Sequence, residues 1–585
     1  MAELMKKQSV LMQLRQAAFG ELACQFAQFI QRKDNTDDDL IVYSAALLSE
    51  AVSHGHVCLN LAQVGQQDSI LDELLPESVD EWVSRLRQSD LVGQPDDFTP
   101  LVLTDLGLLY LYRYWQDEKL VALSIKQRLQ AMAIIDEPRL KQDFSQWQST
   151  NQSFDWQKVA VLMALTRQFC VISGGPGTGK TTIVLKLLAL FFNQSHDLRI
   201  ALAAPTGKAA ARLQQAVSAI EQQTIEAKTI HRLLGITSNR PEGRYSADRP
   251  LPIDVLIIDE ASMIDITLMA KLIKALSKST RLILLGDSQQ LASVESGAIL
   301  ASLCGDKPSF SDTFNQQVTT FTGLELVNDF ESSSLIDSVV QLQHSYRFDE
   351  QSQVGLLANA VKHGDDDSVI RYLVSHSDAA WQQQVDQAMI IQQVMTLYQA
   401  FFEAIKANQT AEKCLELFEQ SRVLCALKQG PESVETVNYL IERALAKQAW
   451  RTHQGFYHGR PIMVTQNDYR QGLFNGDTGL ILYDDKGRLA ACFEDGEGLR
   501  WLALNRLPAH ETAYAMTVHK SQGSEFDKVC ILLPEQPSAL LSHELLYTAI
   551  TRAKERVVLL ATENIIRQTV ISQHQREMGF SSYFE

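Results

Sequence analysis

The 585-residue sequence predicts an α/β protein of doubly wound sheets, with a helical region ahead of them and a small antiparallel β module near the C-terminal end. Three observations carry that expectation. Apolar strand-like runs alternate with helical runs after residue 154 and again after about residue 422, the rhythm of parallel sheets crossed over by helices. One such run, Cys170-Val171-Ile172, enters a glycine-rich turn that is left through the helix-forming run Ile183 to Leu188. Residues 1 to about 115 instead repeat apolar positions at three- and four-residue steps, the pattern of amphipathic helices.

The glycine-rich turn, Val171 to Thr182, reads VISGGPGTGKTT and fills G-x-x-x-x-G-K-[ST] with Gly174, Gly179, Lys180 and Thr181. Each residue type has a physical task there. The loop Gly174, Gly175, Pro176, Gly177, Thr178 and Gly179 is expected to turn backbone N–H groups onto phosphate oxygens, because glycine reaches positive φ freely. The following helix, which Thr182 helps to open, aims its positive end at the same point. Lys180 can reach the β- and γ-phosphates, and the Thr181 hydroxyl can bind a magnesium ion. A glycine turn with a merely solvated lysine is the plainer reading, and a match at every position in a strand–loop–helix context overrides it. The chain is expected to bind a nucleoside triphosphate.

At about 150 residues per domain the chain divides into three or four domains. Its composition is that of an ordinary globular protein, and no apolar run approaches the ~20 residues needed to cross a bilayer. The N-terminus lacks the apolar centre of a signal peptide. The eight cysteines (Cys24, Cys58, Cys170, Cys304, Cys414, Cys425, Cys492 and Cys530) are scattered without C-x-x-C spacing, so a reducing, cytoplasmic setting without a structural metal is expected. The net charge of −17 excludes a protein that holds nucleic acid by bulk positive charge and confines any such contact to a local groove. It also suits a subunit that meets a more basic partner.

In order, residues 1–115 read as a helical N-terminal domain made from FGELACQFAQFIQR, DDLIVYSAALLSEAV, LDELLPESVDEWVSRLRQS and TDLGLLYLYRYWQDEKLVA. Its large side chains, among them Trp82, Tyr110, Tyr112, Tyr114 and Trp115, exceed what so small a core should bury, so part is expected at a docking surface. His54, His56 and Cys58 lack a fourth ligand and read as a loop. Residues 116–150 are mixed and polar, a linker. Residues 151–340 form a first α/β domain with a small hairpin at 236–252. Residues 341–585 form a second, with a β module near 476–505 where strand runs alternate with Asn-Gly, Asp-Asp-Lys-Gly and Asp-Gly turns.

Ligands of such sheets bind beyond the carboxyl ends of the strands, where the glycine loop, Asp259-Glu260 and Gly286-Asp287 all fall. Asp259 and Glu260 end an apolar strand; one can hold magnesium, alongside Thr181, and the other can polarise the attacking water. Gln157 lies one helix upstream of the loop, and its amide can read adenine by donating and accepting together. Gln290 is placed to sense the γ-phosphate, with Gln289 as a competitor. Arg347 and Arg552 come from far along the chain, and an arginine closing over a transferring phosphoryl group contributes ~10³-fold or more in rate.

The ordered set GGPGTGKTT, APTGKAAARL, TIHRLLG, LIIDEASM, LLGDSQQLASV, HSYR, TVHKSQGSEFDKV and YTAITRAKERV resembles the motif series of superfamily 1 DNA helicases. More closely, it resembles the RecD branch, the alpha subunits of exodeoxyribonuclease V (the RecBCD complex). The motifs span about 154 to 562, and length and the N-terminal region extend the likeness to the whole chain. The resemblance implies two RecA-like P-loop NTPase domains with a helical N-terminal domain and a small SH3-like β insertion at 476–505. It implies ATP and Mg2+ bound between the two, by Gln157, Gly179, Lys180, Thr181, Asp259, Glu260 and Gln290 from the first and Arg347, Gly523, Glu525 and Arg552 from the second. Glu525 would face the nucleotide sugar. Pro205, Thr206, Lys208, Thr229, His231, Thr517 and His519 would line a groove for single-stranded DNA, and 236–252 would be a strand-separating pin. The implied activity is 5′→3′ helicase movement from duplex ends, in a heterotrimer with RecB-like and RecC-like subunits, serving double-strand-break repair and recombination.

Three rivals stand beside it. A stand-alone RecD-like helicase would carry paired helix-hairpin-helix repeats, which residues 1–115 lack. A degenerate P-loop scaffold conflicts with intact Lys180, Asp259, Glu260 and Arg552. A self-sufficient nuclease would need a compact Asp/Glu/Lys cluster outside these motifs, so cutting is expected on a partner subunit.

Overall fold

The computed structural model describes residues 10–36, 38–64, 75–147, 154–218, 225–237, 239–305, 308–326, 335–348, 352–375, 379–383, 386–447, 455–468, 470–495, 498–573 and 576–584. Among them four sheets organise the chain.

The N-terminal region is not only helical. Helices Glu21–Lys33 and Asp39–Ser53 pack together, and Asp38 both caps the second of them and receives the Arg85 guanidinium at 2.7 and 3.0 Å. Beside them lies a sheet of β1 (Cys58–Asn60), β2 (Val92–Gly93), β3 (Leu101–Leu103) and β4 (Leu108–Leu111) in the order β1-β4-β3-β2. The run expected as one helix, TDLGLLYLYRYWQDEKLVA, is divided: Gly107 turns at φ 72°, Leu108–Leu111 pairs with β1 and β3, and helix begins only at Tyr112. Leucine and tyrosine suit both states, and pairing on two sides decides for the strand.

The expected linker is also corrected. Residues 112–129 and 137–146 are helices, and Trp115, Val121, Ala122 and Ile125 are buried in a core shared with the six-stranded sheet that follows. Charged residues between those apolar positions hid an amphipathic face. The aromatic surplus goes the same way. Trp82 is buried and donates its Nε1–H to Ser44 Oγ at 2.8 Å, Tyr110 and Trp115 are buried, and Tyr112 and Tyr114 pack against the shared core.

That six-stranded sheet is parallel throughout. It comprises β5 (Phe169–Gly174), β6 (Ile200–Ala204), β7 (Ala227–Thr229), β8 (Val255–Ile258), β9 (Arg281–Gly286) and β10 (Val339–Leu342), in the order β10-β5-β9-β8-β6-β7. Its strands are apolar on both faces because both are covered. Cys170 and Ile172 face the helices Trp156–Thr166 and Lys180–Gln194, whereas Phe169 and Val171 face Ile266–Ala275 and Tyr112–Leu129. At 236–252 the described residues hold two tight isolated bridges, Thr237 with Arg240 and Ser246 with Arg249, rather than one small hairpin. Pro241, Gly243 and Pro250 interrupt a ladder there.

The second sheet holds β11 (Ala379–Gln382), β12 (Ser421–Cys425), β18 (Ala515–Thr517), β19 (Phe526–Leu532) and β20 (Ala553–Leu560), parallel in the order β11-β20-β19-β12-β18. Inserted between β12 and β18 is an antiparallel module of β13 (Arg460–Val464), β14 (Thr478–Tyr483), β15 (Leu489–Asp495), β16 (Gly498–Ala503) and β17 (His510–Thr512), in the order β16-β15-β14-β13-β17. It has its own small core, with Ile462, Val464, Ile481 and Phe493. The expected 476–505 covers β14 to β16, and β13 and β17 widen it at both ends.

The chain end returns to the beginning. Arg576 donates to the carbonyls of Ser293, Glu295 and Gly297. The Glu577 N–H donates to His56 Nδ1 at 3.0 Å, and the Val57 N–H to the Glu577 carbonyl at 2.9 Å. Phe580 and Phe584 are buried in the core shared by the N-terminal region and the six-stranded sheet. Among the described residues, no cluster of His, Cys, Asp and Glu could hold a metal ion and no helix is long and apolar enough to cross a membrane.

Candidate nucleotide site

The glycine loop joins the carboxyl end of β5 to the helix Lys180–Gln194. Gly179 stands at φ 85° as that helix's N-cap, and Gly177 at φ 77°. Neither tolerates a side chain. A Cβ on Gly179 would lie 2.3 Å from Gln157 Nε2, and one on Gly177 would lie 2.3 Å from Arg347 Cβ. Behind the loop, Thr178 Oγ1 donates to the Gly175 carbonyl at 2.8 Å. Lys180 Nζ donates to the carbonyls of Gly174 and Gly175, so its ammonium is already folded over the hollow where phosphates would lie. A cavity of about 670 Å³ opens in front, lined by Pro176, Gly177, Gly179, Lys180, Thr181 and Thr182.

The other expected residues of the first domain line the same cavity. Gln157, held at a helix start that Asp155 caps, donates Nε2–H to the Thr178 carbonyl at 3.2 Å. Asp259 and Glu260 follow β8. Burial, and then the neighbouring Glu260 carboxylate, raise the Asp259 carboxyl above its ordinary range, with Lys180 opposing. Glu260 occupies the left-handed region at φ 55°, a strained conformation for a residue with a Cβ, and its N–H donates to Asp259 Oδ1 at 2.9 Å. Gln290 lines the cavity and is buried, donating to Asp287 Oδ2 at 3.2 Å. Gln289 is not among the lining residues, which favours Gln290 of the two.

The second half closes the opposite wall. Ser345 Oγ donates to the Pro176 carbonyl at 3.1 Å and the Tyr346 N–H to the Gly177 carbonyl at 2.8 Å, which lays Arg347 across the loop. Arg347 pairs with Glu525 at 2.7 Å, and Arg212 pairs with the same carboxylate oxygen. Burial works to raise the Glu525 carboxyl, but the two guanidinium groups outweigh it and hold it below the ordinary range. Arg552 is buried and donates to the carbonyls of Thr548 and Ser524, both at 3.1 Å. Burial pushes its guanidinium down, opposed by Glu260, Glu525 and Asp287. Gly523, Glu525 and Arg552 complete the lining.

Two participants escaped the sequence. Arg212 sits inside the quoted run APTGKAAARL, but its role depends on Glu525, 313 residues later. Tyr547 donates its hydroxyl to Asp287 Oδ2 at 3.1 Å, the same oxygen that Gln290 uses. With Thr548 Oγ1 accepting from the Leu291 N–H at 2.9 Å and Gln522 Nε2 donating to the Leu291 carbonyl at 2.8 Å, it stitches the Gln290 segment to the second half.

The expected groove residues fall into separate groups. Pro205 and Thr206 follow β6 and Thr229 ends β7, neighbouring parallel strands. Thr517 ends β18, and His519 opens the short 3-10 turn after it. All three threonines also accept a backbone N–H at a helix start, at 3.1 to 3.3 Å. His231 lines a crevice with Asp265 and Lys271. Lys208 lines a different one, beside Glu419 and Asp477.

Three family models match the chain: an AAA domain over residues 157–296, a UvrD-like helicase C-terminal domain over 512–560, and the N-terminal domain of RecBCD enzyme subunit RecD over 15–110. RecBCD enzyme subunit RecD of Mycolicibacterium smegmatis is 37% identical over 93% of this chain and 93% of its own length. The chain belongs to the RecD family. The RecD subunit of Haemophilus influenzae is 34% identical over 94% of this chain and 93% of its own. The ATP-dependent RecD2 DNA helicase of Deinococcus radiodurans is 29% identical over 66% of this chain and 46% of its own. Membership in the RecD family and the matches to the AAA domain and UvrD-like helicase C-terminal domain models make the chain a DNA helicase with ATPase activity.

Proposed function

We propose that this RecD-family chain is the 5′→3′ motor of a helicase–nuclease that opens DNA at double-strand ends for repair and recombination. One observation carries the motor reading: Lys180, Thr181, Asp259, Glu260 and Gln290 from the first half share a single cavity with Arg347, Glu525 and Arg552 from the second. ATP filling that cavity gives Arg347 and Arg552 a partner that only the closed cleft provides, and hydrolysis removes it. Lys180 neutralises the phosphates, and Thr181 and Asp259 are the residues to hold Mg2+. Glu260 orients the attacking water, and Gln290 reports the γ-phosphate to Tyr547 through Asp287. Glu525 faces the sugar edge, and Gln157 the base.

Single-stranded DNA runs past Pro205, Thr206, Thr229, His231, Thr517 and His519, and the 236–252 excursion serves as the pin. Residues 1–115 serve assembly with RecB-like and RecC-like subunits in the cytoplasm. With Trp82, Tyr110 and Trp115 buried, Met12, Leu22, Phe29, Phe98 and Leu106 are the exposed large apolar groups among the described residues that support this role. Near-full-length agreement with RecD subunits favours the complex over a stand-alone helicase.

The test has two arms. The chain expressed with its neighbours should co-purify with two large subunits in equal proportion. The assembled complex carrying Lys180→Gln should lose unwinding of 5′-tailed duplexes specifically; loss confined to 3′-tailed duplexes would reverse the polarity.

A further inference from the structure

Beside the nucleotide cavity lies a second crevice of about 490 Å³, lined by Gly207, Lys208 and Arg212 of the first half and by Glu419, Phe474, Asp477 and Thr478 of the second. The helix Gly207–Val217 touches both spaces. Lys208 and Arg212 are one turn apart on one face of it, so Arg212 meets Glu525 at the nucleotide while Lys208 enters the crevice. The β module approaches this helix closely: a Cβ on Gly207 would lie 2.9 Å from Phe474 Cβ.

Glu419, at the end of helix Ala411–Glu419, is built into the far wall. Its Oε1 accepts from Thr478 Oγ1 on β14 at 2.6 Å and lies 3.0 Å from Arg422 Nη2 on β12. Arg422 is fully buried, its guanidinium 4.1 Å from the Phe418 ring and 4.9 Å from that of Phe526, the residue after Glu525. One carboxylate therefore holds the β module, the second sheet and, through Phe526, the nucleotide wall. Among the described residues, Lys208 has no ion-pair partner within 4.0 Å, yet after burial the Glu419 charge is the strongest influence on its ammonium. Glu419 in turn is held low by Arg422 and Lys208 against the effect of burial.

We propose that Lys208 and Glu419 form a clasp that engages when ATP closes the cleft, making Glu419 a positioning residue that carries closure to the β module. The inference rests on the motor reading above. Closure moves the Gly207–Val217 helix toward the second half, and the Lys208 ammonium then docks on a carboxylate that already holds Thr478. The module follows the first domain in each cycle and separates from it on opening. Lys208 thereby acts within the protein instead of on a DNA phosphate.

The experiment compares the assembled wild-type complex with Lys208→Met, Lys208→Arg, Glu419→Gln and the double variant Lys208→Met/Glu419→Gln. ATP consumed per base pair unwound and the salt dependence of single-strand binding are both read. Lys208→Met and Glu419→Gln should each raise ATP use per base pair by about five-fold, the scale of one partly buried ion pair. The double variant should be no worse than either single one, and Lys208→Arg should keep the wild-type ratio. The salt slope should not change. A slope shallower by about 0.7 in Lys208→Met would mark a lost phosphate contact and overturn the clasp, as would multiplying effects in the double variant. If Glu419→Gln melts early because Arg422 loses its counter-charge, the two Lys208 single variants decide alone. Wild-type complex without DNA-stimulated hydrolysis would sink the motor reading, and the clasp with it; a working motor with unchanged ratios would sink the clasp only.

Discussion

The two halves of the chain meet at the nucleotide cavity and again at the seam where the tail reaches the N-terminal region, and the two contacts are built differently. Around the cavity, besides the Tyr346 N–H on the Gly177 carbonyl, the contact is made by charged and polar side chains, Arg212, Arg347 and Glu525 among them, around a space of about 670 Å³. At the seam it is made by hydrogen bonds that each use a backbone group, Glu577 with Val57 and with the His56 ring and Arg576 with three carbonyls, and by buried rings, Phe580 and Phe584 in a core with Tyr110 and Trp115. Charged groups across a gap answer to whatever ligand fills it, whereas the buried rings of the seam pack as a core does, beside a crevice of about 680 Å³ lined by His56, Cys58 and Glu577. The first contact is suited to opening and closing, the second to staying shut.

That comparison breaks if a change in the cavity costs stability, or if a change at the seam costs catalysis. The largest effect is expected from Lys180→Gln, which should lower ATP turnover by ~10³-fold or more, since phosphoryl transfer depends almost entirely on positioned charge. Its melting curve should match wild type. At the seam, Gly579→Ala places a Cβ 2.1 Å from the Tyr110 hydroxyl and 3.1 Å from Glu118 Oε1. It should cost about 1–3 kcal/mol, as overpacking does, and lower the melting temperature while turnover per folded molecule persists.

The smallest effect sharpens the account of the seam. Glu118 is buried there and accepts from the Tyr110 hydroxyl at 3.0 Å, while its Oε2 has no hydrogen-bond partner among the described residues. Burial pushes its carboxyl up from 4.5 to about 7. The folded chain therefore keeps a proton that the unfolded chain releases, and stability falls as pH rises from about 4.5 to about 7. The titratable neighbours Tyr110, Cys58 and Tyr583 are all pushed up by burial and stay neutral across that window. Glu118→Gln should flatten this part of the pH–melting profile, and an unchanged profile would show that Glu118 is not its source.

The same contrast explains what was legible in the sequence. The residues that line the candidate nucleotide cavity were, because a phosphate cradle needs fixed residue types at short spacing: Gly179, Lys180 and Thr181 are consecutive, and Asp259 and Glu260 end one apolar strand. What escaped depends on partners remote in sequence. Arg212 means little without Glu525, and Tyr547 little without Asp287. The N-terminal sheet was hidden because Leu108–Leu111 is compatible with helix until β1 and β3 flank it. The part of helix Tyr112–Leu129 beyond residue 115 fell in the expected linker because its buried face carries Asp117, Glu118 and Arg128 among the apolar residues. The resemblance assigned Lys208 to the DNA groove, and its place in a crevice with Glu419 was beyond the sequence, because Glu419 lies 211 residues later.

The central claim is that the nucleotide site is shared, with the second half supplying charge as phosphoryl transfer proceeds. Arg552→Ala tests it most directly, in steady-state hydrolysis by the assembled complex at saturating single-stranded DNA. Arg552 touches the cavity from the far wall, anchored on Thr548 and Ser524, and its charge is needed most in the transition state. The account predicts a kcat lower by ~10³-fold with KM for ATP within about three-fold of wild type. A variant with wild-type kcat and a raised KM would contradict it, making Arg552 a ground-state binder and the first half sufficient for the chemistry.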